Sequence, residues 1–305
     1  MMIRMKLLLL IGLCFFHLAF GQKVGLVLSG GGARGFAHIG TLKMLDSLEI
    51  PVDFIMSTSM GALAGAMYAA GYSGKYIEQA ALDLDWEMLF SDQMNREQLP
   101  FFEKNDFGKY QVDVSLDGFI PVPPDAFVSG QKAILVLNEF LPQYATHSIF
   151  KEMPIPFQCN AVDLITGNEV QLTKGILPKA MRASIAIPTV FSPVSWGDSL
   201  LIDGGVRNNL ATDIAKNLGM DIIIASNAGT PRRTKNELIN VRDIFEQTIG
   251  IIEYDKEDEN EKLADLLIKP DLGKLKQTDY SKHKIRKIIN VGNSAAQKMI
   301  PELLE

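Results

Sequence analysis

Short apolar runs alternate with amphipathic stretches along most of the chain. The segment 24–28 is apolar throughout and predicts a buried strand, and the segment 52–56 predicts a second one. A glycine loop and a helical pattern through Leu48 separate these strands, and another helix is predicted from about Met60. Strands joined through helices favour parallel pairing with right-handed crossovers.

The same alternation returns in the second half of the chain. Residues 86–125 break it, and the later acidic run Glu253–Glu261 is interpreted as a solvated helix face or loop. Together the pattern predicts one α/β domain with helices on both faces of a sheet. Helices are predicted near 130–140, 237–252 and 281–299, and strands near 157–163, 168–173, 190–195, 199–202 and 221–226.

The first 21 residues have the pattern of a secretory signal. Arg4 and Lys6 precede a nearly unbroken apolar run from Leu7 to Phe20, which is short for a membrane span. Small residues at Ala19 and Gly21 predict cleavage before Gln22. Residues 1–21 are therefore expected to be a signal peptide, and residues 22–305 the exported domain, in a periplasmic, outer-membrane-associated or secreted location.

Composition and charge narrow the classes of function. The 305 residues are 47% hydrophobic and 22% charged, which is typical of a globular protein. Removing the two cations of the signal takes the formal net charge from −6 to −8 and argues against a nucleic-acid partner. Only Cys159 remains after cleavage, so the mature chain forms no internal disulfide.

Four glycines within six residues follow the first predicted strand: Gly30, Gly31, Gly32 and, after Arg34, Gly35. Consecutive glycines let backbone N–H groups point into one small space, and the helix that follows adds positive potential there. A tetrahedral intermediate needs such an arrangement, called an oxyanion hole, for its negative oxygen. Arg34 is expected to add charge or to fix the loop.

The same loop also satisfies a dinucleotide-binding pattern. Its glycines fit G-x-G-x-x-G, and Asp53 follows about 20 residues later. However, Asp53 stands at the start of the second predicted strand, whereas a ribose-binding carboxylate belongs at the end. The nucleotide interpretation is therefore the weaker alternative.

Ser59 lies between the second strand and a helix of small residues. Ser59 and Gly61 match the second half of the G-x-S-x-G motif, a sharp turn that exposes a nucleophilic serine; Ser57 replaces the first glycine. A plain helix N-cap is the alternative role for Ser59.

Asp203 ends a late apolar strand and is followed by Gly204 and Gly205. An aspartate beside a serine hydroxyl is a candidate general base, and an Asx-turn is the alternative. His38, His147 and His283 show neither a convincing triad pattern nor metal-ligand spacing, so no metal site is predicted.

In this order, the three motifs resemble the patatin-like phospholipase family, including exported bacterial members. The segments Phe36–Leu42, Ala183–Phe191 and Asn208–Leu210 carry the resemblance further. It implies a three-layer α/β/α fold with a mainly parallel central sheet, a Ser59–Asp203 dyad without histidine, and an oxyanion loop from Gly30 to Gly35 with Arg34 near it. It also implies no cofactor.

The resemblance implies a hydrolase for phospholipid or related carboxylic esters that meets a membrane surface transiently. An acyltransferase and a non-catalytic scaffold that retains the fold are the alternatives. The aromatic, proline-rich segment 86–125 is either a cap over a lipid site or an ordinary packed loop.

Overall fold

The computed structural model describes residues 21–90, 115–117, 120–122, 126 and 128–304. The predicted signal peptide, apart from Gly21, and most of the aromatic segment, including Phe101, Phe102 and Phe107, lie outside the described residues. Both remain predictions.

Eight strands form the central sheet. Two further pairs of short strands lie apart from it, Ser115–Asp117 with Ile120–Val122 and Ser148–Ile149 with Lys174–Gly175. The strands of the central sheet are β1 (Val24–Leu28), β2 (Phe54–Ser57), β3 (Phe157–Asp163), β4 (Glu169–Leu172), β5 (Val194–Trp196), β6 (Ser199–Asp203), β7 (Ile222–Ser226) and β8 (Leu266–Ile268).

Helices connect most of these strands. Single helical turns at Trp86–Leu89 and Ile300–Leu303 supplement them. The longer helices are α1 (His38–Ser47), α2 (Met60–Ala69), α3 (Gly74–Asp83), α4 (Gln131–Phe140), α5 (Leu177–Ser184), α6 (Thr212–Asn217), α7 (Val241–Glu261) and α8 (Lys282–Lys298).

The sheet is mixed but mostly parallel, in the order β8-β7-β1-β2-β3-β6-β5, with β4 paired to β3. The four pairings from β8 to β3 are parallel, and the three made by β4, β6 and β5 are antiparallel. The loops after β1, β2 and β7 therefore meet at one edge of the sheet, where ligand sites of such sheets form.

Helices cover both faces, which confirms the predicted α/β architecture. Helices α1 to α5 and α8 share one large apolar core with Leu26 and Leu28, whereas α6 packs on the other face against Val27. Alternate side chains of β1 thus enter different cores, and the strand is apolar throughout because both its faces are buried. Among the described helices, none is both long and apolar enough to cross a membrane.

The structure corrects several predicted elements. The strand predicted at 190–195 begins only at Val194, because Pro193 has no N–H to donate, and Phe191 makes a single bridge to Val128. Helices α3, α5 and α6 and strand β8 were not predicted. The acidic run is helical, as one of its two interpretations held, but Glu257 and Glu261 accept hydrogen bonds from Asn227 rather than facing only solvent.

Candidate active site

Ser59 occupies a strained turn between β2 and α2. Its backbone angles, φ 51° and ψ −124°, lie where side-chain-bearing residues are rarely found, a conformation that costs about 1–3 kcal/mol. Gly61 makes the turn possible, because a Cβ atom there would lie 2.5 Å from the Ser29 carbonyl oxygen. An ordinary N-cap needs no such strain, so the geometry favours the nucleophile-turn interpretation.

The Ser59 hydroxyl donates a hydrogen bond to Asp203 Oδ2 at 2.6 Å. Both residues are only 5% exposed. The other carboxylate oxygen, Oδ1, accepts the Gly205 N–H at 2.7 Å, so the Asx-turn exists beside the serine contact rather than instead of it. Burial raises the pKa of Asp203 to about 6, against the lowering effect of these two hydrogen bonds.

Strand β3 explains why residues 144 positions apart meet. Ser57 pairs with Cys159 on one side of β3, and Asp203 pairs with Ala161 on the other. Ser59 follows Ser57 by two positions, and Ala161 follows Cys159 by two positions, so the serine and the aspartate stand at the same level across one strand. Asp203 reaches this level because β6 runs antiparallel to β3, an orientation that the sequence did not predict.

The glycine loop lies directly against Ser59. A Cβ atom on Gly30 would be 3.0 Å from Ser59 Cβ, and one on Gly32 would be 2.6 Å from the Gln277 carbonyl oxygen. Gly32 also has a φ of 54°, so glycine is needed for both space and conformation.

The amides of this loop divide into occupied and free groups. The Gly30 N–H donates to the Asn209 carbonyl at 3.2 Å, and the Ala33 N–H to the Gln277 carbonyl at 2.8 Å. Within the part of the chain that the structure describes, the N–H groups of Gly31 and Gly32 have no hydrogen-bond acceptor. Of the residues predicted for an oxyanion hole, these two therefore have amides available for a ligand oxygen.

Arg34 fixes the loop. Its guanidinium donates to the carbonyl oxygens of Ala228 at 3.1 Å, Gly229 at 2.9 Å and Leu275 at 2.9 Å. All three guanidinium nitrogens are thereby committed to backbone carbonyls. Of the two roles expected for Arg34, these contacts support fixing the loop over donating to an oxyanion.

His38 supports the loop from beneath. The ring is fully buried, with Nε2 2.8 Å from the Ser29 carbonyl and Nδ1 2.8 Å from Ser226 Oγ. Burial lowers its pKa to about 4, so the ring is neutral near pH 7 and Nε2 carries the hydrogen donated to Ser29. His147 and His283 are exposed, and no described histidine is hydrogen-bonded to Ser59 or Asp203.

The replaced glycine of the turn causes no distortion. Ser57 has no positive φ, so a side chain is allowed there, and it points towards Gly65 of α2. Its hydroxyl is buried without a hydrogen-bond partner. Downstream, Gly204 is required, because a Cβ atom there would lie 2.7 Å from the Asn160 carbonyl.

Asn208 secures the turn that carries Asp203, a role that the motifs did not reveal. Its carbonyl accepts hydrogen bonds from Asn160 Nδ2 at 2.9 Å and from the Thr58 hydroxyl at 3.3 Å, next to Ser59. Its side chain contacts Glu169 and accepts from Asn260 Nδ2 at 2.9 Å. The two turns of the site are thereby connected.

The carboxylate of the dinucleotide alternative lies at the wrong edge of the sheet. Asp53 directly precedes β2, and its Oδ2 accepts the Val24 N–H at the start of β1, at 2.7 Å. The glycine loop begins at the other end of β1. Asp53 therefore cannot bind a ribose at the loop.

An apolar cavity of about 40 Å³ adjoins the site. It reaches the glycine loop at Gly35, the nucleophile turn at Met60, and Ile185, the neighbour of Ser184. Its walls come from α2, α3, α4 and the helical turn Trp86–Leu89, and include Leu63, Met67, Ile77, Trp86, Leu137 and Phe140. These side chains offer a hydrocarbon chain an apolar environment.

The fold, the strained turn at Ser59 and the order of the three motifs together indicate one class of protein. The family model of patatin-like phospholipases matches residues 26–216. This match covers more than half of the chain, which therefore belongs to the patatin-like phospholipase family.

The individual relatives share less than a third of their residues with this chain over the matched segments. The lysophospholipase nte1 of Aspergillus fumigatus is 29% identical over 210 residues, covering 69% of this chain but 12% of the fungal protein. An uncharacterized NTE family protein, Mb2594 of Mycobacterium bovis, is 30% identical over 195 residues, covering 64% of this chain and 28% of its own length. The chain thus spans only a small part of these relatives.

Solved structures give weaker matches. VipD from Legionella pneumophila has 13% sequence identity and a TM-score of 0.47, over 92% of this chain and 67% of that chain. The type III effector protein ExoU has 13% identity and a TM-score of 0.41, over 91% and 53%.

Proposed function

We propose that this protein is a serine hydrolase of lipid carboxylic esters, with Ser59 as nucleophile and Asp203 as general base. The observation that carries the proposal is the 2.6 Å hydrogen bond from the Ser59 hydroxyl to a buried carboxylate, made from a strained turn beside two free loop amides. A strained serine with an adjacent base has the geometry of an activated nucleophile.

The first step forms an acyl-enzyme. Ser59 Oγ attacks the ester carbonyl while its proton moves to Asp203, and the Gly31 and Gly32 N–H groups stabilise the oxyanion. The tetrahedral intermediate then collapses, and the leaving alkoxide takes the proton from Asp203. The C–O bond to the alcohol is replaced by a C–O bond to Ser59.

The second step restores the enzyme. Water attacks the acyl-serine carbonyl and transfers a proton to Asp203. When this intermediate collapses, the fatty acid leaves and Ser59 recovers the proton. An acyl acceptor other than water would make the same enzyme a transferase.

The apolar cavity supports a lipid acyl group as substrate. It begins beside Met60 and Gly35, and its lining is almost entirely hydrocarbon. Burying a methylene contributes about 0.8 kcal/mol, so a cavity of this kind favours esters of longer acids.

We further propose transient contact with a lipid surface through α7. Val241, Ile244, Ile251 and Ile252 are exposed and recur at helical spacing, so they form one apolar stripe. Ile251→Asp with Ile252→Asp is expected to reduce co-flotation with lysolipid-containing vesicles without changing the melting temperature. Unchanged co-flotation of this double variant would contradict α7 as the surface that contacts lipid.

Labelling with a fluorophosphonate, together with turnover of a short-chain nitrophenyl ester, tests the catalytic proposal. Labelling and turnover are expected in the parent and absent in Ser59→Ala. Ser294→Ala is the matched control, because this serine is exposed on α8. A folded parent that neither reacts nor turns over ester would instead favour a scaffold.

A further inference from the structure

One lysine, Lys256, is the only basic residue in the acidic run Glu253–Glu261 at the end of α7. Its ammonium group contacts carboxylates of two other elements. Nζ lies 3.1 Å from Glu169 Oε2 on β4 and 3.2 Å from Asp213 Oδ2 on α6. Lys256 therefore joins three elements that are far apart in sequence.

The same two carboxylates bind the side chain of Asn208, which is 1% exposed. Asn208 Nδ2 donates to Glu169 Oε1 and to Asp213 Oδ1, both at 3.0 Å, and its Oδ1 accepts from Asn260 Nδ2 at 2.9 Å. Both donor hydrogens and the acceptor are used, so the buried amide has one favoured orientation. Asn260 follows Lys256 by one helical turn, so α7 supplies both the cation and this amide donor.

The backbone of Asn208 and Asn209 contacts all three catalytic segments. The Asn208 N–H donates to the Gly204 carbonyl, in the turn after Asp203, at 3.0 Å. The Asn208 carbonyl accepts from the hydroxyl of Thr58, the neighbour of Ser59, at 3.3 Å. The next carbonyl, that of Asn209, accepts the Gly30 N–H of the glycine loop at 3.2 Å. A displacement of this dipeptide would therefore shift the base, the nucleophile and the oxyanion donors relative to one another.

Lys256 provides the charge that keeps Asn208 in place. Glu169 and Asp213 both lie within hydrogen-bond distance of one nitrogen, so their negative charges are close and repel each other. The side chains of Lys256, Asp213 and Glu169 are 34%, 30% and 17% exposed, so solvent screens this repulsion incompletely. Without the ammonium group, the carboxylates would move apart, and the Asn208 amide would lose its fixed orientation.

We propose that Lys256 is a positioning residue for the reaction: by neutralising Glu169 and Asp213, it fixes Asn208 and thereby the relative placement of the catalytic segments. This role rests on the proposed hydrolase function. Lys256 acts through Asn208 and not on the reacting atoms. The apolar cavity is lined by other residues, so binding of an acyl chain should not depend on Lys256.

The first test is Lys256→Met, which keeps an apolar stem and removes the charge. Small displacements of catalytic groups lower the rate steeply, so kcat for a nitrophenyl ester should fall about tenfold while KM changes less than about twofold. Lys256→Arg keeps a cation and should retain most of the parent kcat. Lys262→Met is the matched control, because this exposed lysine directly follows α7, and it should have the parent kcat.

The second test restores the balance of charge. Glu169→Gln retains the acceptor Oε1 for Asn208 and Asn160 but removes one of the two repelling charges. Added to Lys256→Met, it should return kcat to within about threefold of the parent, a coupling that a double-mutant cycle measures. Mere loss of packing at Lys256 would not be reversed by a second substitution. All variants are compared at a temperature at which circular dichroism shows each of them folded.

The outcomes separate this role from the underlying function. Parent-level kcat in folded Lys256→Met, or a double variant no faster than Lys256→Met, would overturn only the positioning role, provided that turnover in the parent depends on Ser59. Absence of any Ser59-dependent ester turnover in the parent would overturn the hydrolase function and, with it, the role of Lys256.

Discussion

The backbone N–H of Ser59 donates a hydrogen bond to the hydroxyl of Ser184 at 2.9 Å, which connects the nucleophile turn to the end of α5. Ser184 is fully buried. The bond stabilises the strained conformation of Ser59. It also occupies the Ser59 amide, so an oxyanion must be stabilised by other donors, the Gly31 and Gly32 amides in the proposed mechanism.

Replacing Ser184 with alanine should therefore impair catalysis. The Ser59 N–H would lose its acceptor, and an unsatisfied buried donor costs about 1–3 kcal/mol. We expect kcat for a nitrophenyl ester to fall about tenfold, with a smaller change in KM. Parent-level kcat in a folded Ser184→Ala protein would show that this bond does not position the nucleophile.

The activity should depend on the ionisation of Asp203. Its pKa is raised to about 6 by burial, and only the carboxylate form accepts the Ser59 proton. kcat/KM is expected to rise with pH and to reach a plateau above about pH 7. A profile that is flat between pH 5 and 8, with chemistry rate-limiting, would contradict Asp203 as the base; Asp203→Asn should be inactive throughout.

The same carboxylate should destabilise the folded protein when charged. Because its folded pKa of about 6 exceeds the ordinary value of 3.8, the folded state binds the proton more tightly than the unfolded state. Its contribution to stability is present below about pH 4 and is lost as pH rises through 6. Asp203→Asn should therefore melt at a higher temperature than the parent at pH 8, and the difference should shrink towards pH 4.

His38 should have the opposite effect. Its pKa is lowered to about 4 by burial, from an ordinary value of 6.5, so the unfolded state binds the proton more tightly. The stability it contributes is present above pH 6.5 and is lost as pH falls through 4. His38→Gln is expected to show a weaker fall in melting temperature between pH 6.5 and 4 than the parent. An equal fall in the melting temperatures of the variant and the parent would mean that groups other than His38 cause the loss of stability in acid.

Ser57→Ala should be neutral or stabilising. The Ser57 hydroxyl is buried without a partner, and removing such a group recovers part of a desolvation penalty of about 1–3 kcal/mol. Urea denaturation would measure the free energy of unfolding. A loss of more than about 1 kcal/mol would mean that the hydroxyl has a partner in solution.

Much of the site could be predicted from local sequence. The positive φ of Gly32 and the sharp turn at Ser59 are properties of neighbouring residues, so they leave a local pattern in the sequence. The close approaches of Gly32 to Gln277 and of Gly61 to Ser29 join distant residues and leave none. Strands β1 and β7 could likewise be predicted from their apolar sequences, since strands buried on both faces are apolar throughout.

The rest depends on pairings between distant residues. The antiparallel direction of β6, which brings Asp203 level with Ser59, is set by the register on β3 and leaves no mark near either residue. Ser184 and Asn209 are ordinary polar residues in sequence, and only the folded chain places them at the nucleophile and the loop. The contacts of Glu257 within the acidic run were missed because an exposed helix face and a partly buried one can have the same composition.

The Arg34 contacts also bear on where the smallest independently folding unit ends. The family match stops at residue 216, yet Arg34 is held by the carbonyls of Ala228, Gly229 and Leu275. Strand β7, the partner of β1 at the centre of the sheet, also lies beyond that boundary. A chain cut after residue 216 would retain Ser59 and Asp203 but would leave one edge of β1 unpaired. The segment that matches the family model is therefore shorter than the segment that completes the sheet and holds Arg34.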